Sequence, residues 1–239
     1  MRIVVAIPFS PWPVRKGTDR LIMNLLAGLS AHHEVALAAM ALGREELARL
    51  REIETPSIRV AAMLAPHRRG FSRRVWRKVR NSALALLAGV PARVSYAAPR
   101  PYLELVADTA RDMGADIVLA NYWHLYRLPD LLETGKPVLV THDLDFAVNP
   151  GRLALAPRGI RRAAAACRAR SLERIERLAY ERYKAILTVT RADADALGRD
   201  PSLRGKSIAA LPLALDLSEF DPGAYERERN EILFVGTFH

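Results

Sequence analysis

The feature that most constrains this chain is its first twenty residues, where a short apolar run leads into a turn and then into helical spacing. Residues 2–7 (RIVVAI) are mostly β-branched and apolar, which is typical of a strand buried on both faces of a parallel sheet. Three prolines and a glycine at residues 8–17 exclude regular structure, and a helical pattern begins at Thr18. Ligands bind beyond the carboxyl ends of strands in open α/β sheets, so we expect the functional site at this loop.

The same alternation of strand and helix patterns continues along the chain. The other predicted strands are residues 34–40, 58–64, 116–120, 136–141, 185–189 and 207–211. The other predicted helices are residues 44–54, 102–113, 159–183 and 193–197. Residues 91–101, between two of these elements, are expected to form an irregular connector. The alternation predicts an α/β fold built on a doubly wound, Rossmann-like parallel sheet.

A polar, turn-forming stretch at residues 216–230 predicts a connector between two domains. It follows the Rossmann-like domain at residues 1–215 and precedes residues 231–239, where a new apolar run (EILFV) opens. A single strand cannot form a domain, so we expect a fragment that holds only the start of a second Rossmann-like domain.

The charge balance favours anionic partners. Lys and Arg number 36 against 26 Asp and Glu, which leaves a net charge of +10 and a pI near 10.2. No nucleic-acid-binding signature accompanies this charge, so we expect no nucleic-acid partner. The lone Cys167 excludes an internal disulfide and favours a reducing, cytoplasmic location. The longest apolar stretch, residues 83–90, is far shorter than the roughly 20 residues that span a bilayer.

A basic segment at residues 66–80 stands out within this charge. It holds seven Arg or Lys, and aromatic and valine residues recur among them at helical spacing. The pattern predicts a basic amphipathic helix at residues 68–80 that lies on an anionic membrane surface. A solvated face and a contact with a phosphate-bearing acceptor are the alternatives. The predicted membrane-surface residues are Arg73, Arg74, Trp76, Arg77 and Lys78.

The turn at residues 15–19 is the first candidate binding element. Gly17 allows a phosphate to approach the backbone, and Thr18 opens the helix whose N-terminal amides attract anions. The three-glycine dinucleotide fingerprint and the Gly-Lys-Ser/Thr phosphate loop are both missing from the sequence. An ordinary strand-to-helix turn is the alternative.

Further candidate residues follow two later strands. His142 and Asp143 come directly after the strand at residues 136–141, where they could contact a sugar hydroxyl. Trp123 and His124 form an aromatic loop that could serve as a sugar platform or could simply pack. Asp143 and Asp145 also spell Asp-x-Asp, but no further ligand cluster accompanies them, so we expect no metal site.

Taken together, these segments resemble the N-terminal half of a family-4 glycosyltransferase, a retaining, metal-independent class with two facing Rossmann-like domains (the GT-B fold). The resemblance covers nearly the whole chain, and its segments come in the family's order. They are RIVVAIPFSPWPVRKGTDRLIMNLLAGLSAHHEVAL, ADIVLANYW, KPVLVTHDLDF, YERYKAILTVTRADADAL, and IAALPLALDLSEFDP leading into EILFVGTF.

The resemblance implies that this domain is the acceptor side of a cleft whose other wall binds a nucleotide sugar. Gly17 matches the family's glycine loop near the donor diphosphate, with Lys16 standing where the family has a second glycine. His142 matches the histidine that contacts the transferred sugar and is the implied catalytic residue. The nucleotide-sugar donor is a substrate, and no cofactor is implied.

We therefore expect the N-terminal part of a glycosyltransferase that moves a sugar from a nucleotide sugar to an envelope glycolipid or polysaccharide. The expected location is the cytoplasm, including the inner face of the cell membrane, and the 239-residue chain alone is expected to be inactive. One alternative is a non-catalytic Rossmann-like module that binds a phosphorylated or lipid ligand. Another is a metal-dependent sugar transferase that uses Asp143 and Asp145.

Overall fold

The computed structural model describes residues 1–66, 92–154, 157 and 159–212, which form a seven-stranded parallel sheet with helices on both faces. The strand order is β3-β2-β1-β4-β5-β6-β7. The strands are β1 (Arg2–Ile7), β2 (Glu34–Ala41), β3 (Ile58–Leu64), β4 (Ile117–Asn121), β5 (Lys136–Thr141), β6 (Ala185–Thr188) and β7 (Ser207–Ala210). This arrangement confirms the predicted doubly wound α/β sheet.

Helices connect most of these strands. They are α1 (Gly17–Ser30), α2 (Arg44–Leu50), α3 (Ala92–Ala97), α4 (Arg100–Met113), α5 (Asp145–Ala154), α6 (Ile160–Arg182) and α7 (Arg191–Gly198). Short 3-10 turns follow β4 at Trp123–Leu125 and Leu128–Asp130. Within the described ranges, every helix is too short or too polar to cross a lipid bilayer.

The central strand β1 is buried on both faces because parallel partners flank it and helices cover it. It pairs with β2 on one side and with β4 on the other. Its residues alternate between two separate apolar clusters. Val5 and Ile7 pack with Ile22 and Leu26 of α1, whereas Val4 packs on the opposite face with residues of α4 and α6. This double burial explains why β1 is continuously apolar after Arg2.

The strand order reverses between β1 and β4. From β1 the chain moves outward to β2 and β3, and it then returns to the other side of β1 to form β4. The loops that leave the carboxyl ends of β1 and β4 therefore run in opposite directions and leave a crevice between them. This crevice is where a doubly wound sheet places its ligand.

Two local expectations were wrong. Residues 91–101 were expected to be irregular, but α3 lies within them and α4 already begins at Arg100. Pro101 is accommodated in the first turn of α4, where a backbone N–H has no partner within the helix. The helix α5 was not predicted, because Pro150 and Gly151 interrupt its sequence pattern.

Several predicted features lie outside the described residues. They are the basic segment at residues 68–80, with Arg73, Arg74, Trp76, Arg77 and Lys78, the connector at residues 216–230 and the apolar run at residues 231–239. These stay predictions.

Candidate functional site

Three loops meet at the carboxyl edge of the sheet, and they follow β1, β4 and β5. The side chains that join them are Asn121 at the end of β4, Tyr122 directly after it and His142 after β5, and we call them the His142 cluster. Tyr122 also contacts the loop after β1, because its ring lies edge-on to Phe9 with the centroids 5.8 Å apart. The cluster thus lies at the crevice that the reversal of strand order creates.

The imidazole of His142 is held by the buried side chain of Asn121. The Asn121 amide nitrogen donates to the carbonyl oxygen of Ala6 at 3.2 Å, which leaves Oδ1 to face Nε2 of His142, also at 3.2 Å. An amide oxygen can only accept, so Nε2 carries the proton and Nδ1 is the accepting nitrogen. Burial lowers the pKa of His142 to about 4, so the ring is neutral at pH 7.

Tyr122 forms one wall of this cluster. Its ring stacks on His142 with the centroids 4.3 Å apart and the planes 15° from parallel. Its backbone has φ of 79°, which is uncommon for a residue with a side chain. Burial raises the pKa of Tyr122 to about 12, and a hydrogen bond with the Thr18 side chain partly opposes the rise.

The N-terminus of α1 is organised by Asp19, which is 3% exposed. Its Oδ2 accepts from the backbone N–H groups of Arg15 at 3.0 Å and Lys16 at 3.2 Å. Gly17 is exposed, its φ is outside the left-handed range, and a Cβ added there would meet nothing within 4 Å. The space over Gly17 is therefore open, and packing does not require a glycine there.

The aromatic loop after β4 divides into a buried and a partly exposed part. Trp123 is 3% exposed, and its indole N–H donates to Oδ2 of Asp145 at 3.0 Å. His124 is half-buried and stacks on Trp123 with the centroids 4.1 Å apart. The burial of Trp123 favours packing over a sugar platform, and Tyr122 presents the aromatic wall of the cluster instead.

Asp143 is exposed beside the cluster, and its negative charge contributes to the raised pKa of Tyr122. Its carbonyl oxygen accepts from the hydroxyl of Thr141 at 3.0 Å. Of the predicted site residues, His142 stacks on Tyr122 and Asp143 lies close enough for its charge to raise the pKa of Tyr122, whereas Trp123 is buried in the core. Across the described part of the chain, no three His, Cys, Asp or Glu side chains are grouped as metal ligands.

Sequence reasoning did not assign a role to Asn121, Tyr122 or Glu176. Asn121 is a polar residue that ends an apolar strand, which is a detectable signal for a side chain at the sheet edge. Glu176 lies on the same side of α6 as the buried Ile175, Ala179 and Tyr180, so helical spacing alone would have placed a carboxylate on the buried face. No comparable signal marks the backbone of Tyr122.

The sheet order and its reversal define the class of this protein as a doubly wound, Rossmann-like α/β protein. No protein-family model matches the chain, and no curated protein matches it. Among solved structures the chain is similar to apo UGT2 from Phytolacca americana, with 12% identity and a TM-score of 0.47. The match covers 90% of this chain and 52% of that one, so this chain spans about half the length of UGT2. The fold assignment rests on the sheet, and nothing about activity follows from a likeness this distant.

Proposed function

We propose that this chain is the N-terminal, acceptor-side part of a glycosyltransferase that moves a sugar from a nucleotide-sugar donor to an acceptor. The observation that carries the proposal is the His142 cluster. A neutral histidine, fixed by Asn121 and stacked on Tyr122, lies at the switch point of a doubly wound sheet. The order of the sequence segments supports the finer assignment to the retaining family 4.

His142 suits contact with the transferred sugar because of its protonation state. A neutral imidazole accepts a hydroxyl hydrogen bond through Nδ1, and it does not repel the positive charge that develops on a sugar during transfer. Its pKa of about 4 keeps it in that form throughout the physiological range. The stack on Tyr122 fixes the ring plane before any ligand arrives.

The start of α1 suits the donor phosphates. Its N-terminal amides carry a partial positive charge, and the open space over Gly17 lets an anion approach the backbone. Phe9, in the loop that leads to this turn, contacts the ring of Tyr122, so a phosphate at Gly17 and a sugar at His142 would bind on connected elements. Asp143 supplies an exposed carboxylate for a sugar hydroxyl.

The proposed class of acceptor rests on the net charge of the chain. A net charge of +10 suits a lipid-linked or otherwise anionic acceptor, such as an envelope glycolipid or a growing polysaccharide at the cytoplasmic face of a membrane. Residues 68–80 are the proposed membrane contact. Sedimentation with anionic vesicles at low salt tests this contact, and a chain that stays in the supernatant would reject it.

Saturation-transfer NMR tests sugar recognition on the full chain. The opposite wall of the cleft is expected to hold most of the donor, but His142 and Gly17 are proposed to contact its sugar and phosphates. We therefore expect the hexose protons of at least one nucleotide sugar, from a panel of UDP-, GDP- and dTDP-hexoses, to receive saturation from the protein. His142→Gln should weaken that binding about tenfold, the effect of losing one buried polar contact. The control His32→Gln, which replaces an exposed histidine, should leave it unchanged.

Two outcomes would count against a glycosyltransferase. One is an absence of saturation for every nucleotide sugar, and the other is binding that His142→Gln does not weaken. Binding of inorganic phosphate or of anionic vesicles without any nucleotide sugar would favour the alternative, a non-catalytic module for a phosphorylated or lipid ligand.

A further inference from the structure

A buried carboxylate lies directly beneath the loop that carries His142 and Asp143. Glu176 of α6 is 0% exposed, and its two oxygens accept from the first backbone amides of α5. The distances are 2.9 Å from the amide of Asp145 and 2.8 Å from that of Phe146. Glu176 thus caps α5 from another helix and fixes where the loop after β5 ends.

A chain of hydroxyl groups connects this carboxylate to the other end of the loop. The hydroxyl of Tyr180 lies 2.7 Å from Oε1 of Glu176 and 3.4 Å from Oγ1 of Thr141. Thr141 in turn donates to the carbonyl oxygen of Asp143 at 3.0 Å. The loop is therefore held at both ends by groups that meet at Glu176.

Which of these hydroxyl groups donates and which accepts depends on whether the Glu176 carboxyl group carries a proton. When Glu176 is ionised, the Tyr180 hydroxyl donates its hydrogen to the carboxylate. The Thr141 hydroxyl donates its hydrogen to the Asp143 carbonyl. Neither hydroxyl then has a hydrogen for the contact between Tyr180 and Thr141. When Glu176 is protonated, it can donate to Tyr180, which is then free to donate to Thr141. Protonation thus completes an unbroken series of hydrogen bonds from Glu176 to the Asp143 carbonyl.

The surroundings of Glu176 bring its pKa into the physiological range. Burial raises the pKa of Glu176 to about 7, against hydrogen bonds from Tyr180 and Phe146 that lower it, and the charge of Asp145 on α5 adds to the rise. On α6 itself, Arg177 pairs with Glu173 and with Asp200 rather than with Glu176.

The loops packed against this region bring their own titratable groups. His124 stacks on Trp123, whose indole N–H binds Asp145. His142 and Asp143 lie in the loop after β5, beyond Thr141. Any test of Glu176 must separate its titration from those of the two histidines.

We propose that Glu176 is a positioning residue whose proton sets the direction of the Glu176–Tyr180 hydrogen bond and decides whether Tyr180 can donate to Thr141, and with it how the loop that carries His142 is held. The positioning stands on the hydrogen bonds alone. Its consequence, a sugar site whose affinity changes across neutral pH, rests on the proposed function.

Proton NMR of the full chain between pH 5 and 9 tests the positioning through two reporters. The first is the indole N–H of Trp123, assigned with Trp123→Phe, and the second is the carbon-bound ring proton of His142, assigned with His142→Gln. The imidazole of His142 itself ionises near pH 4. We therefore expect both signals to show an inflection near pH 7 that comes from Glu176.

Three variants decide the origin of that inflection. Glu176→Gln should abolish it at both reporters, and Tyr180→Phe should abolish it at His142 while Trp123 keeps it, because only the hydroxyl chain is cut. His124→Gln should leave both inflections in place. Circular dichroism checks that each variant is folded, and Tyr180→Phe serves as the second test if Glu176→Gln does not fold.

The outcomes that overturn the proposal are distinct from those that overturn the function. No inflection in the wild type, an inflection that survives Glu176→Gln, or its loss in His124→Gln would each reject the role of Glu176. An inflection that behaves as expected in a protein that binds no nucleotide sugar would keep the positioning role and reject the glycosyltransferase. Sugar binding in a protein that shows no inflection would keep the glycosyltransferase and reject the positioning role of Glu176.

Discussion

The N-termini of α1 and α5 lie at the same edge of the sheet, and each is capped by a buried carboxylate of different origin. Asp19 caps α1 from within that helix and reaches amides three and four residues earlier. Glu176 caps α5 from a different helix, 30 and 31 residues away. The first cap can form as soon as the local turn forms, whereas the second exists only after α6 has packed on the sheet.

The proposed site therefore has two walls that are stabilised differently, one at Gly17 and Thr18 by local hydrogen bonds and one at His142 by long-range hydrogen bonds. The wall at Gly17 and Thr18 is fixed by neighbours in sequence, so its geometry should survive a loss of distant packing. The wall at His142 depends on a long-range polar network in the protein interior, where each group costs free energy if it loses its partner. Mutations should therefore affect the two walls unequally.

The largest expected effect concerns the pH dependence of stability through His142. Its pKa is lowered to about 4, so between pH 6.5 and 4 the unfolded chain binds a proton that the folded protein does not. The free energy of unfolding should fall by about 3 kcal/mol over that interval. Urea unfolding of wild type and His142→Gln at several pH values measures this term, which the variant should lack. A variant as acid-sensitive as the wild type would contradict it, and His32→Gln is the matched control.

The next effect is the loss of the long-range cap. Glu176→Ala leaves two amides and the Tyr180 hydroxyl without their buried acceptor, which should lower the free energy of unfolding by about 2 kcal/mol at pH 6. The deficit should shrink as the pH rises from about 4.5 to 7 and stay constant above that range, because the folded protein keeps a proton on Glu176 that the unfolded chain has already lost, and this stabilisation is gone once Glu176 ionises in both states. The control Glu173→Ala removes a carboxylate of the same helix that is partly exposed and should cost far less. Equal losses in both variants would argue against a buried cap.

Loss of the Asp19 cap should lower the free energy of unfolding by less than loss of the Glu176 cap. Asp19→Ala removes the acceptor of the Arg15 and Lys16 amides and should lower the free energy of unfolding by about 1 kcal/mol, with no change in the Trp123 indole signal. Asp19→Asn keeps an oxygen in place and should restore most of the loss. A change at Trp123 as large as that from Glu176→Ala would show that the two walls are not independent.

The smallest expected effect is at Gly17. Gly17→Ala adds a methyl group that meets no atom within 4 Å, so stability should change by less than about 0.5 kcal/mol. The same methyl group would fill the open space where an anion is proposed to approach, so nucleotide-sugar binding should weaken. Gly114→Ala is the contrasting change, since φ there is +57°, in the left-handed region that a residue with a Cβ adopts only with strain. Thermal unfolding should show a clear loss for Gly114→Ala alone.

The strands could be predicted well because each is a short apolar run, and the central strands β1, β2 and β4 are almost continuously apolar because they are buried on both faces. The helix α5 was missed because Pro150 and Gly151 conceal it, and α3 because prolines flank its segment. At the site, the position of His142 followed from the end of β5. The bond to Asn121, the stack on Tyr122 and the cap from Glu176 join residues far apart in sequence, so no local pattern could predict them.

The backbone of Tyr122 has a consequence for how this protein would respond to selection in the laboratory. Glycine adopts φ of 79° with ease, whereas a tyrosine held there costs on the order of 1 kcal/mol. A library sorted for thermal resistance alone should drift toward glycine at this position. A library sorted for ligand capture should keep the aromatic ring that stacks on His142, so the residue each pool retains would show which property the native side chain serves.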